Sequence, residues 1–116
     1  MSRPRKMPVV FYRTAAGDEV VRNWLRCLNE NDRNAIGQDL MRVQYRWPVG
    51  MPLCRAMGGG LWEVRSNLQG GRIARAMFSV QEGKLVVLHG FIKKSRKTPA
   101  EDLQLARQRK NLWLSE

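Results

Sequence analysis

Residues 85–101 read LVVLHGFIKKSRKTPAE, and this stretch decides the fold. It begins as an apolar run of strand character that reaches His89, the single histidine of the chain. Four cations follow within five residues, and Thr98 to Glu101 then has the composition of a helix start, with a cap, a proline and a capping-box glutamate. This order places an imidazole and concentrated positive charge at the open end of a sheet. A phosphodiester backbone is the ligand that we expect there.

The neighbouring segments predict the other elements of the domain. Strands at residues 61–67 and 72–80 precede the strand at 85–93, and glycine-containing turns join all three into an antiparallel meander. Upstream, we expect a short strand at 8–12 and an antiparallel pair of helices. Their apolar residues recur at helical spacing, as Val20, Val21, Trp24, Leu25 and Leu28, and then as Ile36, Leu40, Val43 and Trp47.

These elements predict an α+β domain. Pro48 ends the second helix, residues 48–60 read as an irregular connection, and a last helix runs to about residue 114. The expected architecture is an N-terminal strand and helical hairpin packed on an antiparallel sheet with a three-strand meander, followed by a C-terminal helix. We expect residues 1–7 to be a flexible basic arm and residues 8–116 to form a single domain.

Composition points to a polyanionic partner. The chain of 116 residues has 21 Lys and Arg against 10 Asp and Glu, a formal net charge of +11 and a pI near 10.9. Such a surface attracts nucleic acid or an acidic protein. Cys27 and Cys54 are too few for a structural zinc site and indicate a reducing cytoplasm. Neither a signal peptide nor a membrane span is expected, so the sequence predicts a soluble cytoplasmic protein.

Strand alternation sorts the side chains of the meander onto two faces. With Val86, Leu88 and Ile92 assigned to the core under the helical hairpin, Gly90 gives a helix room to approach. The other face is then expected to be open, and it carries Glu63, Arg65, Arg75, His89, Phe91 and Lys93. A basic sheet face with an aromatic ring suits RNA better than a duplex groove. The alternatives are a structural histidine and a surface ion pair between Glu63 and Arg65.

Several motifs resemble bacterial toxins of the RelE/ParE superfamily, in particular its phage-derived HigB-like branch. They are the segment LWEVR at 61–65, the segment RIARAMF at 72–78, and VLHGFIKK at 87–94 followed by Lys97-Thr98-Pro99. The similarity covers roughly residues 8–114 and implies a RelE-like fold. It also implies a ribosome-associated endoribonuclease that cleaves mRNA and is neutralised by a cognate helix-turn-helix antitoxin.

The resemblance also implies roles for individual residues. Arg65 matches a family arginine that binds phosphate and stabilises the transition state, Arg75 matches a basic position on the middle strand, and Lys93 and Lys94 match basic residues at the end of the last strand. The candidate catalytic residues are therefore Arg65, Arg75, His89 and Lys93. The candidate RNA-binding residues are Phe91, Lys94, Arg96, Lys97 and Arg72. Some relatives have a tyrosine near the C-terminus, whereas this chain has none after Tyr45.

RNA supplies its own nucleophile, the 2′-hydroxyl, so the chemistry needs proton transfer and stabilisation of a phosphorane. We expect Arg65 and Arg75 to bind the phosphate, His89 or Lys93 to transfer protons and Phe91 to stack on a base. The sequence has no carboxylate cluster suited to magnesium, so we expect neither a metal nor another cofactor. Two alternatives remain open from the sequence: a ParE-like inhibitor of gyrase without nuclease activity, and a non-catalytic RNA-binding module.

Overall fold

The computed structural model describes residues 6–114 and contains a five-stranded sheet with helices on both faces. The elements in chain order are β1 (Val9–Phe11), α1 (Val20–Arg26), α2 (Glu30–Arg46), β2 (Cys54–Gly58), β3 (Leu61–Asn67), β4 (Ile73–Gln81), β5 (Lys84–Lys93) and α3 (Ala100–Leu114). This arrangement confirms the predicted α+β class. Within the described part of the chain, no helix is long and apolar enough to span a membrane.

The sheet has the strand order β1-β5-β4-β3-β2. Strands β3, β4 and β5 form the predicted antiparallel meander, and β1 pairs in parallel with β5. Strand β2 was not expected, because residues 48–60 were predicted to be irregular. Its sequence CRAMG has no β-branched residue and forms a largely exposed edge strand, so neither periodicity nor propensity marks it. The run Gly58–Gly60 supplies the turn into β3, and all three glycines have positive φ.

Helices α1 and α2 cover the first face of the sheet. The side chain of Asn29 accepts a hydrogen bond from the backbone N–H of Asp32 at 2.8 Å and so caps α2. Gly90 lies under α1, and a Cβ there would overlap the indole ring of Trp24, which confirms why this position is small. The core of this face contains Val21, Ile36, Leu40, Val43, Val64, Ala74, Ala76, Phe78, Leu85 and Val87.

Helix α3 covers the second face, which was expected to be open. This expectation is wrong, because Ala106 is fully buried and Leu103 and Trp113 pack against the sheet. Polar contacts also hold α3 in place. Arg107, for example, donates hydrogen bonds to the carbonyl oxygens of Met57 and Gly58 at 2.6 and 3.0 Å. The apolar side of α3 that packs here consists of Leu103, Ala106 and Trp113.

A β-bulge in β5 changes which residues face each layer. Met77 pairs with His89, but the next residue, Phe78, pairs with Val87, so Leu88 is the additional residue. The alternation reverses there. Val86 and Leu88 consequently pack in the α3 layer rather than under the helical hairpin, which corrects the sequence-based assignment.

The predicted N-terminal arm is described only in part, since residues 1–5 lie outside the described range. Met7, which was assigned to the arm, is attached to α2. Its N–H donates to the carbonyl oxygen of Gln44 at 2.9 Å, and the side-chain amide of Gln44 donates to the carbonyl oxygen of Met7 at 2.8 Å. These two bonds hold Met7 against α2 just before the first strand begins.

Candidate active site

Two arginines and one buried glutamate form a charged cluster on the α3 face of the sheet. Arg65 of β3 and Arg75 of β4 are directly opposite each other in the strand register. Glu63 is fully buried, and its Oε1 accepts a hydrogen bond from Arg65 Nε at 2.8 Å and lies 3.8 Å from Arg75 Nε. The hydroxyl of Thr98 donates to Glu63 Oε2 at 2.5 Å. The cluster therefore has two cations for one anion.

Arg75 is the less satisfied of the two arginines. It is 0 % exposed, and its Nε and Nη1 have no hydrogen-bond partner among the described residues. Its Nη2 donates to the carbonyl oxygen of Ser95, and its guanidinium lies 5.6 Å from the ring centre of Phe91. Burial lowers the pKa of Arg75, an effect that Glu63 opposes. A buried guanidinium with unused donors is suited to binding an anion.

His89 forms a second polar group on the same face, together with Asp102 and Arg109 of α3. His89 Nε2 lies 2.7 Å from Asp102 Oδ1, and His89 Nδ1 lies 3.4 Å from Arg109 Nη1. Because a guanidinium can only donate, we assign Nδ1 as the acceptor and place the ring proton on Nε2, facing the carboxylate. Asp102 thus holds the imidazole in one orientation and in one tautomer.

Arg109 connects α3 to the bulge. Its Nη1 donates to the carbonyl oxygen of Leu88 at 2.9 Å, and its guanidinium lies 5.5 Å from the ring centre of Tyr12. Since Leu88 is the additional residue of the bulge, its place in the ladder is disrupted and its carbonyl is available to α3. Burial lowers the pKa of Arg109. The bulge therefore helps to place the cation beside His89.

The segment between β5 and α3, Lys94–Lys97, lies over the arginine cluster. Arg65 Nη2 donates to the carbonyl oxygen of Arg96 at 2.6 Å, beside the bond from Arg75 to Ser95. The side chains of Lys94, Arg96 and Lys97 are exposed, as is that of Lys93 at the end of β5. Lys93 Nζ lies 3.6 Å from Asp102 Oδ2. The charged segment is thus adjacent to both polar groups of the site.

The structure brings most of the predicted site residues together. Phe91 lies between the two polar groups: its ring centre is 5.7 Å from that of His89 and 5.9 Å from Lys93 Nζ, in addition to its contact with Arg75. The ring is buried, however, so it is not presented to a nucleotide base in this structure. In this structure the ring makes cation–π contacts with Arg75 and Lys93.

Arg72 lies apart from this group. It forms a bidentate ion pair with Asp32 at the start of α2, with N–O distances of 2.8 and 3.0 Å. The hydrogen bonds from Arg72 lower the pKa of Asp32. The observed contact ties the β3–β4 connection to the helical hairpin, which is a structural role.

Sequence reasoning did not identify three residues that organise the site. Thr98 was interpreted only as a helix cap, although its hydroxyl binds Glu63, and neither Asp102 nor Arg109 was singled out. Asp102 could have been identified from its spacing. It is the third residue of the helix that follows the basic segment, and such a position lies close to the end of β5. Arg109 depends on the packing angle of α3, for which the sequence offers no comparable signal.

The arrangement provides the groups that phosphodiester cleavage needs. Two guanidinium groups lie side by side, an oriented imidazole is on the adjoining strand, and ammonium groups lie at the rim. Among the described residues, no group of three or more His, Cys, Asp or Glu side chains is placed to hold a metal ion.

A family model described as phage-derived protein Gp49-like (DUF891) matches residues 23–111. The chain belongs to this Gp49-like family. The family consists of RelE-like proteins associated with toxin–antitoxin systems, which agrees with the coarser part of the resemblance found in the sequence. The matched range includes both arginines of the cluster, the histidine and most of α3. Comparison with curated proteins gave no significant match.

Proposed function

We propose that the protein is the toxin of a type II toxin–antitoxin system, in the HigB-like branch, and acts as a metal-independent endoribonuclease on mRNA at the ribosome. The observation that carries this proposal is the placement of Arg65 and Arg75 around Glu63 on the same sheet face as the His89–Asp102 pair. Membership of a RelE-like family supports the same function.

In the proposed reaction, the 2′-hydroxyl of the RNA attacks the adjacent phosphorus and the bond to the 5′-oxygen breaks. Arg65 and Arg75 stabilise the negative charge that develops on the phosphorane. His89 Nδ1 takes the proton of the 2′-hydroxyl in place of its contact with Arg109, Asp102 stabilises the resulting imidazolium, and the imidazolium then gives this proton to the departing 5′-oxygen. Lys93, at the rim, is placed to interact with a flanking phosphate. The reaction is complete without a cofactor.

Charge supports RNA as the substrate. Lys93, Lys94, Arg96 and Lys97 form an exposed basic rim beside the arginine cluster, on a protein of net charge +11. Such a rim steers a polyanion toward the site and contacts its backbone without regard to sequence. The proposed partners are therefore mRNA and a helix-turn-helix antitoxin that neutralises the toxin in the cytoplasm.

The direct test is cleavage of a labelled mRNA by the purified protein, with and without translating ribosomes. Arg65→Ala removes a side chain that is 20 % exposed and should lower the cleavage rate about 10²- to 10³-fold. His89→Gln tests the proton-transfer group, for which a loss of about 10²- to 10⁴-fold is expected. Arg22→Ala is the matched control, since it removes one exposed arginine from α1, away from the site.

The outcomes separate the proposed function from its alternatives. Cleavage that disappears in the Arg65 and His89 variants but persists in the Arg22 variant supports the nuclease. Intact mRNA together with inhibition of DNA supercoiling by gyrase would refute it in favour of a ParE-like toxin. Binding of RNA with no cleavage, with or without ribosomes, would identify a non-catalytic binding module.

A further inference from the structure

The outward face of α2 presents an aromatic ring between cations. Tyr45 is 51 % exposed and Met41 is 50 % exposed, although both are large side chains. Arg42 and Arg46 lie on the same helix and line a recess of about 350 Å³ together with Tyr45. An exposed ring flanked by guanidinium groups is the arrangement that single-stranded nucleic acid uses, with stacking on the ring and phosphates on the cations.

This face continues into a larger groove that reaches the candidate active site. The groove has a volume of about 790 Å³ and lies between α2 and residues 49–53. Arg42 and Arg46 line one side, and Arg65 and Asn67 of β3 line the other. Arg65 is also hydrogen-bonded to Glu63 and to the basic segment. Arg65 therefore belongs to both the groove lining and the proposed catalytic cluster.

Charge favours RNA over a protein segment as the occupant. The groove is lined by three arginines, and its one carboxylate, Asp39, already pairs with Arg42 at 2.7 Å. A phosphate can compete for this exposed arginine, because an ion pair at the surface contributes little to stability. Lys6, whose ammonium lies 5.9 Å from the ring centre of Tyr45, adds a further cation near the ring.

We propose that the groove and the outward face of α2 bind the single-stranded RNA that leads to the cleavage site, with one base stacked on Tyr45 and backbone phosphates on Arg42 and Arg46. This inference rests on the proposed function, since it assigns the position of the flanking part of the same substrate. The path runs from Tyr45 through the groove to Arg65, and it supplies the exposed aromatic ring that Phe91 does not.

The test measures binding separately from cleavage. The probe is a fluorescent 2′-O-methyl RNA of about ten nucleotides, which lacks the attacking hydroxyl and is within the size range of single-strand sites. Its affinity for the full chain is measured by fluorescence anisotropy over a series of salt concentrations. Arg42→Ala with Arg46→Ala should reduce the slope of log K against log salt by about 1.4, because each phosphate contact on a single strand contributes about 0.7.

The matched control is Arg22→Ala with Arg26→Ala. It removes two exposed arginines from α1, and Arg22 pairs with Glu19 three residues earlier just as Arg42 pairs with Asp39. The control should leave the slope unchanged. Tyr45→Ala should weaken binding at least about fivefold, whereas Tyr45→Phe should keep it, because the stacking surface is retained.

Specific results would overturn the inference. Equal loss of affinity in the α1 and α2 double variants would show that only net charge matters, and undiminished binding by Tyr45→Ala would exclude stacking. If RNA binds the α2 variants normally but an antitoxin does not, the face is a protein-docking surface. Suppose that the wild-type protein cleaves mRNA and that its α2 variants bind RNA as tightly as the α1 control does. The proposal for the groove is then refuted, and the proposed function stands. If binding depends on the α2 residues but no mRNA is cleaved, the groove is an RNA-binding site and the proposed nuclease function is refuted.

Discussion

Replacing Glu63 with glutamine should destabilise the fold far more than replacing Arg75 with methionine. Glu63 is the anion of a buried cluster that also contains Arg65 and Arg75, so Glu63→Gln leaves two neighbouring guanidinium groups without a counter-charge. Breaking a buried ion pair from one side typically costs about 3–5 kcal/mol. This is a large part of the roughly 5–15 kcal/mol that stabilises a typical domain.

Removing the cation Arg75 should destabilise the protein less than removing the anion Glu63, because few of the hydrogen-bond donors of Arg75 have a partner. Two of its nitrogen atoms have no hydrogen-bond partner among the described residues, and burial lowers its pKa. Arg75→Met removes these donors and leaves Glu63 paired with Arg65 and Thr98. An apolar replacement of similar length at such a position is often neutral or stabilising, so we expect a change within about 1 kcal/mol.

Thermal unfolding, followed by tryptophan fluorescence at pH 7, measures both effects. Glu63→Gln should lower the melting temperature by more than about 10 °C, on the basis of roughly 4 °C per kcal/mol for a domain of this size. The double variant should be more stable than Glu63→Gln alone, since it no longer buries the unpaired Arg75. Arg75→Met should also abolish mRNA cleavage while remaining folded. Equal destabilisation by the two single variants, or no rescue in the double variant, would refute this account of the cluster.

Three further substitutions test other parts of the structure. Gly90→Ala should cost about 1–3 kcal/mol in urea unfolding, because the new methyl group would overlap the indole of Trp24, and an unchanged midpoint would mean that α1 is free to shift. Arg72→Gln should destabilise the protein at neutral pH. Because its partner Asp32 has a lowered pKa in the folded state, the difference from wild type should shrink as the pH falls through that pKa, below the usual value of about 3.9, and a difference that persists in acid would contradict the ion-pair explanation. Asp102→Asn should reduce cleavage about 10²-fold or more without changing the melting temperature, if the carboxylate stabilises the imidazolium as proposed; an unchanged rate would leave Asp102 only a structural role.

The sequence predicted the elements of this fold better than their layers. Regular apolar spacing identified α1, α2 and the meander. Strand β2 could not be found in this way, because an exposed edge strand is stabilised by its pairing with β3 rather than by an alternating pattern. The bulge at Leu88 was equally hidden, since an additional residue in one strand is specified by its neighbours.

The candidate site shows the same division. Strand parity correctly grouped Arg65, Arg75 and His89 on one face. The pairing is regular from Arg65 opposite Arg75 to Met77 opposite His89, and the bulge begins only beyond that pair. Parity contains no information on what covers a face, so Arg75 and Phe91 were expected to be exposed and are buried. The covering helix is also held by polar contacts from Arg107 and Arg109, which an amphipathic pattern does not reveal.

The basic segment has two effects on the proposed site, and they oppose each other. Its side chains concentrate positive charge near the cluster, while its carbonyl oxygens at Ser95 and Arg96 accept hydrogen bonds from Arg75 and Arg65. A phosphate oxygen that binds either Nη2 atom must therefore replace a backbone carbonyl. The exchange is favourable in itself, since a hydrogen bond to an anion is roughly twice as strong as one to a neutral acceptor. It also places negative charge among cations that repel one another. Under the proposed function, RNA affinity is thus the difference between these gains and the cost of displacing the segment, and the same residues set both terms.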